Sequence, residues 1–397
     1  MIANPYQLRL DQTGSVTTPK GFRAAGIAAG IKASGHPDLA LVVNDGPSFD
    51  AAAVFTSNRI FAAPVAWSRG VTADGYVKAV VLNSGGANAC TGPDGLRDAI
   101  KTATAVAGEI DAAVMDVAVC STGLIGVRLP MDKLLPGVSA AAAALSADGG
   151  ADAARAIMTT DTVPKTASYT SPDGWSIGGI AKGAGMLAPA LATMLVVITT
   201  DAQVRPLALD KALRAATAVS FDRVDSDGCQ STNDTVICLA NGASGLQPLP
   251  DEFVQALSAV CTDLGLQLLS DAEGAAHDIA IQVTGAATES DALEVGRSIA
   301  RNNLFKCAIF GNDPNWGRVL AALGTTTAVY DPDQLDVSFN GVMVYRQGAL
   351  GEDRSNVDLT ERTVKIVVDL HAGSHQATIW TNDLTYDYVK ENAEYSS

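Results

Sequence analysis

The sequence predicts an α/β fold in which mixed sheets are layered with helices, and it does so through recurring short apolar runs, one long helical period and one tight-turn signal. The runs 39–43, 79–82, 194–198, 279–283 and 364–370 are apolar or alternating and bounded by turn formers, so they read as strands. After Asp251, Phe253, Leu257, Val260, Leu264 and Leu268 recur every three or four residues, which predicts a helix packed by one face on a sheet, with Asp251 as its cap. Further helices are expected over 94–109, 207–219 and 291–302. Asn340-Gly341 between the alternating arms of 335–345 predicts an antiparallel hairpin, because both turn residues tolerate positive φ. The alanine-rich stretch 139–155, with Gly149-Gly150 inside it, reads as a helix and loop joining two lobes.

A chain of 397 residues exceeds the size at which one core stops growing, so two lobes or a composite sandwich is expected. Hydrophobic residues make up 47% and charged residues 18%, a composition that argues for a compact globule. The formal net charge of −16 repels phosphate backbones and anionic lipid, which argues against nucleic acid and membrane surfaces as partners. An anionic substrate would then need a local cation. The six cysteines form no C-x-x-C pair, and the first residues lack a basic and apolar leader, so a cytoplasmic protein with reduced thiols is expected. The apolar run 186–200 is short and interrupted by Pro189, so no bilayer span is expected there.

The richest segment is 182–195, which places the hydroxyl of Thr193 among small residues. Gly183 and Gly185 admit backbone conformations closed to other residues, and Pro189 fixes a bend. Read alone, this is equally a loop feeding a strand that Thr193 begins. Lys182 suits a carboxylate and Glu273 an ammonium, although each is also an ordinary surface charge or cap by its local pattern. The Ser-Thr-Gly step at 121–123 is a plain turn after a strand unless its Gly123 amide is needed at a reacting centre.

The segment Lys182-Gly-Ala-Gly-Met-Leu-Ala-Pro-Ala-Leu-Ala-Thr-Met-Leu195 resembles the self-cleavage site of the ornithine acetyltransferase (ArgJ) family. So do Asn83-Ser-Gly-Gly-Ala-Asn-Ala89, Cys120-Ser-Thr-Gly-Leu-Ile-Gly126, Met158-Thr-Thr-Asp161, Ser231-Thr-Asn-Asp-Thr235, Asp271-Ala-Glu-Gly274, Gly311-Asn-Asp-Pro-Asn-Trp-Gly-Arg318 and the ending Glu394-Tyr-Ser-Ser397, in the same order. The resemblance implies a two-lobed layered sandwich of the ornithine acetyltransferase type, with mixed sheets and antiparallel hairpins. It implies cleavage between Ala192 and Thr193 into an α subunit, 1–192, and a β subunit, 193–397, assembled as a heterotetramer of two α and two β. The implied reaction is glutamate N-acetyltransfer in arginine biosynthesis: acetyl passes from N2-acetylornithine to Thr193, ornithine leaves, and glutamate takes the acetyl group in a ping-pong sequence. The freed α-amine of Thr193, with an ordinary pKa of about 8, would be pushed down by burial beside Lys182 and serve as base for its own hydroxyl. Thr122 and Gly123 would form the oxyanion hole, and Thr159, Lys182, Thr193, Glu273, Asn392 and Ser397 the substrate site. Acetyl-CoA as an additional donor is left open. The chain departs from the commoner family pattern at Ala188-Pro189-Ala190, where histidine and asparagine often flank the proline, so slowed or retuned cleavage is the most that is expected.

An amidase or aminopeptidase with the same threonine, using water as acceptor, is the alternative enzyme, and an uncleaved small-molecule binding protein the non-catalytic one. None of His36, His277, His371 and His375 sits in a nucleophile context, and there is no G-x-S-x-G elbow. His371 and His375 have metal-ligand spacing, but Ala372 stands where a glutamate is needed and Gly373 breaks a helix, so a solvated turn is expected and no metal. No phosphate loop is present and no cofactor is expected. The block 312–318 reads as a rigid loop with Trp316 packed as a plug.

Overall fold

In the computed structural model, which describes residues 2–188 and 194–394, three mixed sheets are built from fifteen strands. The larger lobe is a sandwich of two sheets. One has four strands, in the order Phe22–Ile27, Leu39–Asn44, Ala79–Ser84 and Val117–Thr122. The other has five, in the order Asp50–Phe55, Thr235–Ala240, Leu195–Thr200, Ser176–Lys182 and Lys165–Thr170. Their facing sides share one core, in which Val42, Val80 and Ala118 meet Ile180, Leu195, Val197 and Ile237. Alternation of side chains along each strand leaves a second apolar face on both sheets. Helices Gly92–Ile110 and Met131–Ala143 cover the outer face of the first. Helices Pro206–Ala218 and Pro250–Ser270 cover that of the second.

The smaller lobe is a six-stranded sheet containing Asp278–Ala286, Thr363–Asp369 and His375–Asn382. Ile279, Ile281 and Val283 point to helices Glu289–Ala300, Asn303–Phe310 and Trp316–Leu323, whereas Ala280 and Trp380 face the core of the larger lobe. The predicted hairpin is formed by Asp336–Phe339 and Val342–Arg346, with φ of 47° at Asn340 and 89° at Gly341. Helix Pro250–Ser270 is long and apolar enough to span a bilayer by length and composition, yet 72% of that apolar window is buried, which is how a core helix behaves.

Two expectations are corrected. Asp251 is not the cap of its helix: Leu249 holds that position without a side-chain bond, and Pro250 supplies the first turn, where a missing N–H costs nothing. The stretch 139–155 does not join the lobes. Its second helix, Gly150–Ala156, packs one face into the sandwich core through Ala153, Ala154 and Ala156, while Ala151, Asp152 and Arg155 are exposed. The passage to the smaller lobe falls between Ser270 and Asp278.

Candidate active site

The candidate site is assembled where strand ends from both sheets of the sandwich come together. In the five-stranded sheet Lys182 pairs with Leu195, which pairs with Thr235. In the four-stranded sheet Ser84 pairs with Thr122. Lys182 reaches across, its Nζ donating to Thr122 Oγ1 at 3.3 Å, with both side chains buried. Burial pushes the Lys182 ammonium below its usual range, and Asp161 opposes that push by attraction.

The wall beside Thr122 is backbone. Gly85 and Gly86 both donate their N–H to Thr122 O at 2.9 Å. Gly123 follows at φ 126°, and a Cβ there would stand 2.5 Å from Gly86 N and 2.7 Å from Gly85 C, so only glycine fits. The Gly123 N–H donates to no described residue and is available to a developing oxyanion. Side chains lock these loops together: Ser121 Oγ donates to Asn83 Oδ1 at 2.6 Å, and Asn233 Nδ2 donates to Ala87 O at 2.6 Å and Ser121 O at 2.8 Å. The next residue, Asp234, is fully buried; its Oδ1 accepts from Met194 N at 3.2 Å and its Oδ2 makes no hydrogen bond among the described residues. Burial holds the Asp234 carboxyl well above its usual range.

On the other side of Lys182 lies a charged cluster. Asp161 accepts from Lys165 Nζ at 2.6 Å, Gly183 N at 2.7 Å and Thr159 N at 2.9 Å. Burial raises its pKa, but Lys182 and Lys165 outweigh burial and hold the carboxyl below its usual range. Lys165, fully buried, also pairs with Asp271. Glu273 accepts from Thr160 Oγ1 at 2.8 Å and Asn392 Nδ2 at 3.1 Å, and its N–H donates to Ala184 O at 3.0 Å. Gly274, at φ 61°, lets helix Tyr386–Glu394 come close: a Cβ there would be 2.2 Å from Tyr388 N.

Residues 23–397 match the ArgJ family. The chain belongs to that family. An arginine biosynthesis bifunctional protein ArgJ from Streptomyces avermitilis is 66% identical over 383 residues, covering 96% of this chain and 100% of its own. The protein of that name from Streptomyces coelicolor is 65% identical with the same coverage. A solved ornithine acetyltransferase from Mycobacterium tuberculosis, complexed with ornithine, is 55% identical, spans 47% of this chain and 99% of its own, and has a TM-score of 0.46.

Against the residues that the ArgJ resemblance named, the structure brings Thr122, Gly123, Thr159, Lys182, Glu273 and Asn392 around one place. Ala192, Thr193 and Ser397 lie outside the described residues, but Met194 is held by Asp234 at the rim of the same site. Thr160, not Thr159, hydrogen-bonds Glu273; the hydroxyl of Thr159 turns to Asp161 at 3.4 Å. Sequence reasoning assigned no role to Asp161, Lys165 or Asp234, since only their burial, which no local pattern carries, sets them apart from surface charges. The block 312–318 belongs to the smaller lobe, where Asn315 caps helix Trp316–Leu323 and Trp316 stacks on Tyr345 with centroids 5.0 Å apart. His371 bonds Asp336 at 2.9 Å at the end of strand Thr363–Asp369, and among the described residues no cluster of three or more His, Cys, Asp or Glu could hold a metal ion. A groove of about 620 Å³ lined by Asp50, Arg205 and Asn241 sits at the opposite end of the five-stranded sheet and shares no residue with this site.

Proposed function

We propose that the chain cleaves itself between Ala192 and Thr193 and then carries acetyl from N2-acetylornithine to glutamate on Thr193. Membership in the ArgJ family makes it an acetyltransferase of arginine biosynthesis. The observation that carries the residue assignment is the buried Lys182–Thr122 contact beside the Gly123 amide, which has no acceptor among the described residues, at the strand ends that flank residues 189–193.

In cleavage, Thr193 Oγ attacks the Ala192 carbonyl carbon, the C–N bond breaks as the ester forms, and water hydrolyses that ester to leave the Ala192 carboxylate and a free Thr193 amine. The fragments 1–192 and 193–397 stay joined, since strands Ser176–Lys182 and Leu195–Thr200 are paired neighbours in one sheet. In the acetyl half-reactions the amine takes the Thr193 hydroxyl proton as Oγ attacks the acetyl carbon, and returns it to the departing α-amine of ornithine. Glutamate then attacks acetyl-Thr193 in reverse order. The Gly123 N–H and Thr122 hydroxyl stabilise each tetrahedral oxyanion; one such donor is worth a factor of about 10²–10³ in rate. Lys182 holds the α-carboxylate and Glu273 the ornithine ammonium, with Thr159, Asn392 and Ser397 completing the pocket. The assembly is a cytoplasmic heterotetramer of two α and two β fragments that needs no cofactor.

The test follows acetyl-enzyme by intact mass after mixing with N2-acetylornithine. Glutamate should discharge it and yield N-acetylglutamate; discharge by water at the same rate with and without glutamate would replace the transferase by an amidase. Acetyl-CoA offered in place of N2-acetylornithine in the same experiment tests it as a second donor.

A further inference from the structure

The loop between strands Phe22–Ile27 and Leu39–Asn44 presents a lysine that the reaction scheme has not used. Asp38, wholly buried, grips this loop by accepting from Ala29 N at 2.7 Å and Lys32 N at 2.9 Å, while its own carbonyl takes Ser84 N at 2.9 Å. Lys32 thereby lies along Gly85: a Cβ on Gly85 would be 3.1 Å from Lys32 Cγ. Gly85 is in turn the residue against which Gly123 is pressed. The Lys32 ammonium donates to Met158 O at 2.6 Å and Pro37 O at 2.9 Å. Both acceptors are neutral, and among the described residues the charge has no contacting carboxylate. Burial pushes the ammonium below its usual range, Asp38 opposes this, and Lys182 adds to it, which places the two cations within each other's field.

The two substrates differ in a way that calls for such a group. N2-acetylornithine brings one carboxylate and a terminal ammonium; glutamate brings a second carboxylate at nearly the same reach from its α-carbon. A site serving both must offer an anion and a cation at its far end, because one unpaired charge against the wrong tip would repel it. Glu273 is the anion, fixed by Thr160, and Lys32 is bonded two residues upstream at Met158. Lys165 is occupied by Asp161 and Asp271, and Lys182 serves the carboxylate common to both substrates. We propose that Lys32 receives the side-chain carboxylate of glutamate and so sets the acceptor specificity of the enzyme. This rests on the acetyltransferase reading above.

Ping-pong kinetics separate the half-reactions, so K32M and K32R can be tested on cleaved, purified enzyme. In K32M, ornithine release from N2-acetylornithine without acceptor should stay within about twofold of wild type, while KM for glutamate rises about tenfold or more, the scale of one charge-assisted hydrogen bond. The preference for glutamate over its neutral isostere glutamine should fall by the same factor, and K32R should restore most of it. Equal loss in both half-reactions, or an unaltered glutamate preference, would overturn the assignment alone. A wild-type enzyme that releases ornithine but ignores glutamate would overturn the acetyltransferase reading and this assignment together.

Discussion

Replacing Gly123 with alanine tests the oxyanion wall most sharply. At φ 126° an L-residue is strained by roughly 1–3 kcal/mol. The added methyl would stand 2.5 Å from Gly86 N and 2.7 Å from Gly85 C, and both atoms are backbone, so neither can rotate away. The Gly85–Gly86 segment must retreat, and because both its amides hold Thr122 O, the retreat drags the hydroxyl that Lys182 bonds. Misalignment of a preorganised donor costs a factor of about 10²–10³ in acetyl transfer. Gly126→Ala is the control: its φ is 81°, but nothing lies within 4 Å of the new methyl, so it shares the backbone strain without the collision. The assay is the rate of ornithine release on forming acetyl-enzyme, with thermal unfolding beside it. Gly123→Ala should be slow, and the less stable of the two by the cost of its collision, while Gly126→Ala keeps a near-normal rate. Equal rates in the two variants would refute the argument that Gly123 is glycine because of its contact with Gly85 and Gly86.

Two further outcomes concern buried charge. Asp161→Asn leaves Lys182 and Lys165 short of countercharge and should cost about 3–5 kcal/mol, toward the lower end because Asp271 still pairs with Lys165, measured by denaturant unfolding at neutral pH. The Asp161 carboxyl is held below its usual range when folded, so its contribution is complete above the unfolded value of about 4 and is lost as pH falls below it; the variant should show a shallower acid loss. Asp225 has the opposite sign. Burial, only partly offset by Arg301, pushes its carboxyl up to about 6, so the folded state binds the proton more tightly and stability should fall as pH rises from about 4 to 6. Asp225→Asn should remove that fall, read from melting temperatures across the window, and a slope unchanged by the substitution would contradict the assignment.

Strands that are apolar along their length were legible: the runs 39–43, 79–82, 194–198, 279–283 and 364–370 all lie in strands shifted by no more than one or two residues. Strand Ser176–Lys182 was not, because it carries Gly178 and Gly179, poor strand formers. Their reason is tertiary: a Cβ at Gly178 would be 1.9 Å from Ser15 O, and one at Gly179 would be 2.9 Å from the Leu264 side chain. Strand Asp50–Phe55 hid behind three alanines, which are depleted in strands, and owes its conformation to pairing with Thr235–Ala240. At the site, motif blocks named Thr122, Gly123, Lys182 and Glu273, which the fold brings near one another, but not what neutralises them. Asp161 and Lys165 look like any surface acid and base until the fold buries both. The lobe boundary was misplaced because Gly149-Gly150 mimics a linker, whereas close packing is what those glycines serve: a Cβ at Gly149 would be 1.9 Å from Ala24 O.

The central claim is that Thr193 acquires a free amine and becomes the acetyl carrier, and amino-terminal sequencing of denatured, fully active enzyme tests it most directly. Two sequences are expected, the native start and Thr193-Met194-Leu195, with Thr193→Ala giving one intact polypeptide that forms no acetyl-enzyme. Full acetyl transfer by a single uncut chain, or by the Thr193→Ala variant, would contradict the account.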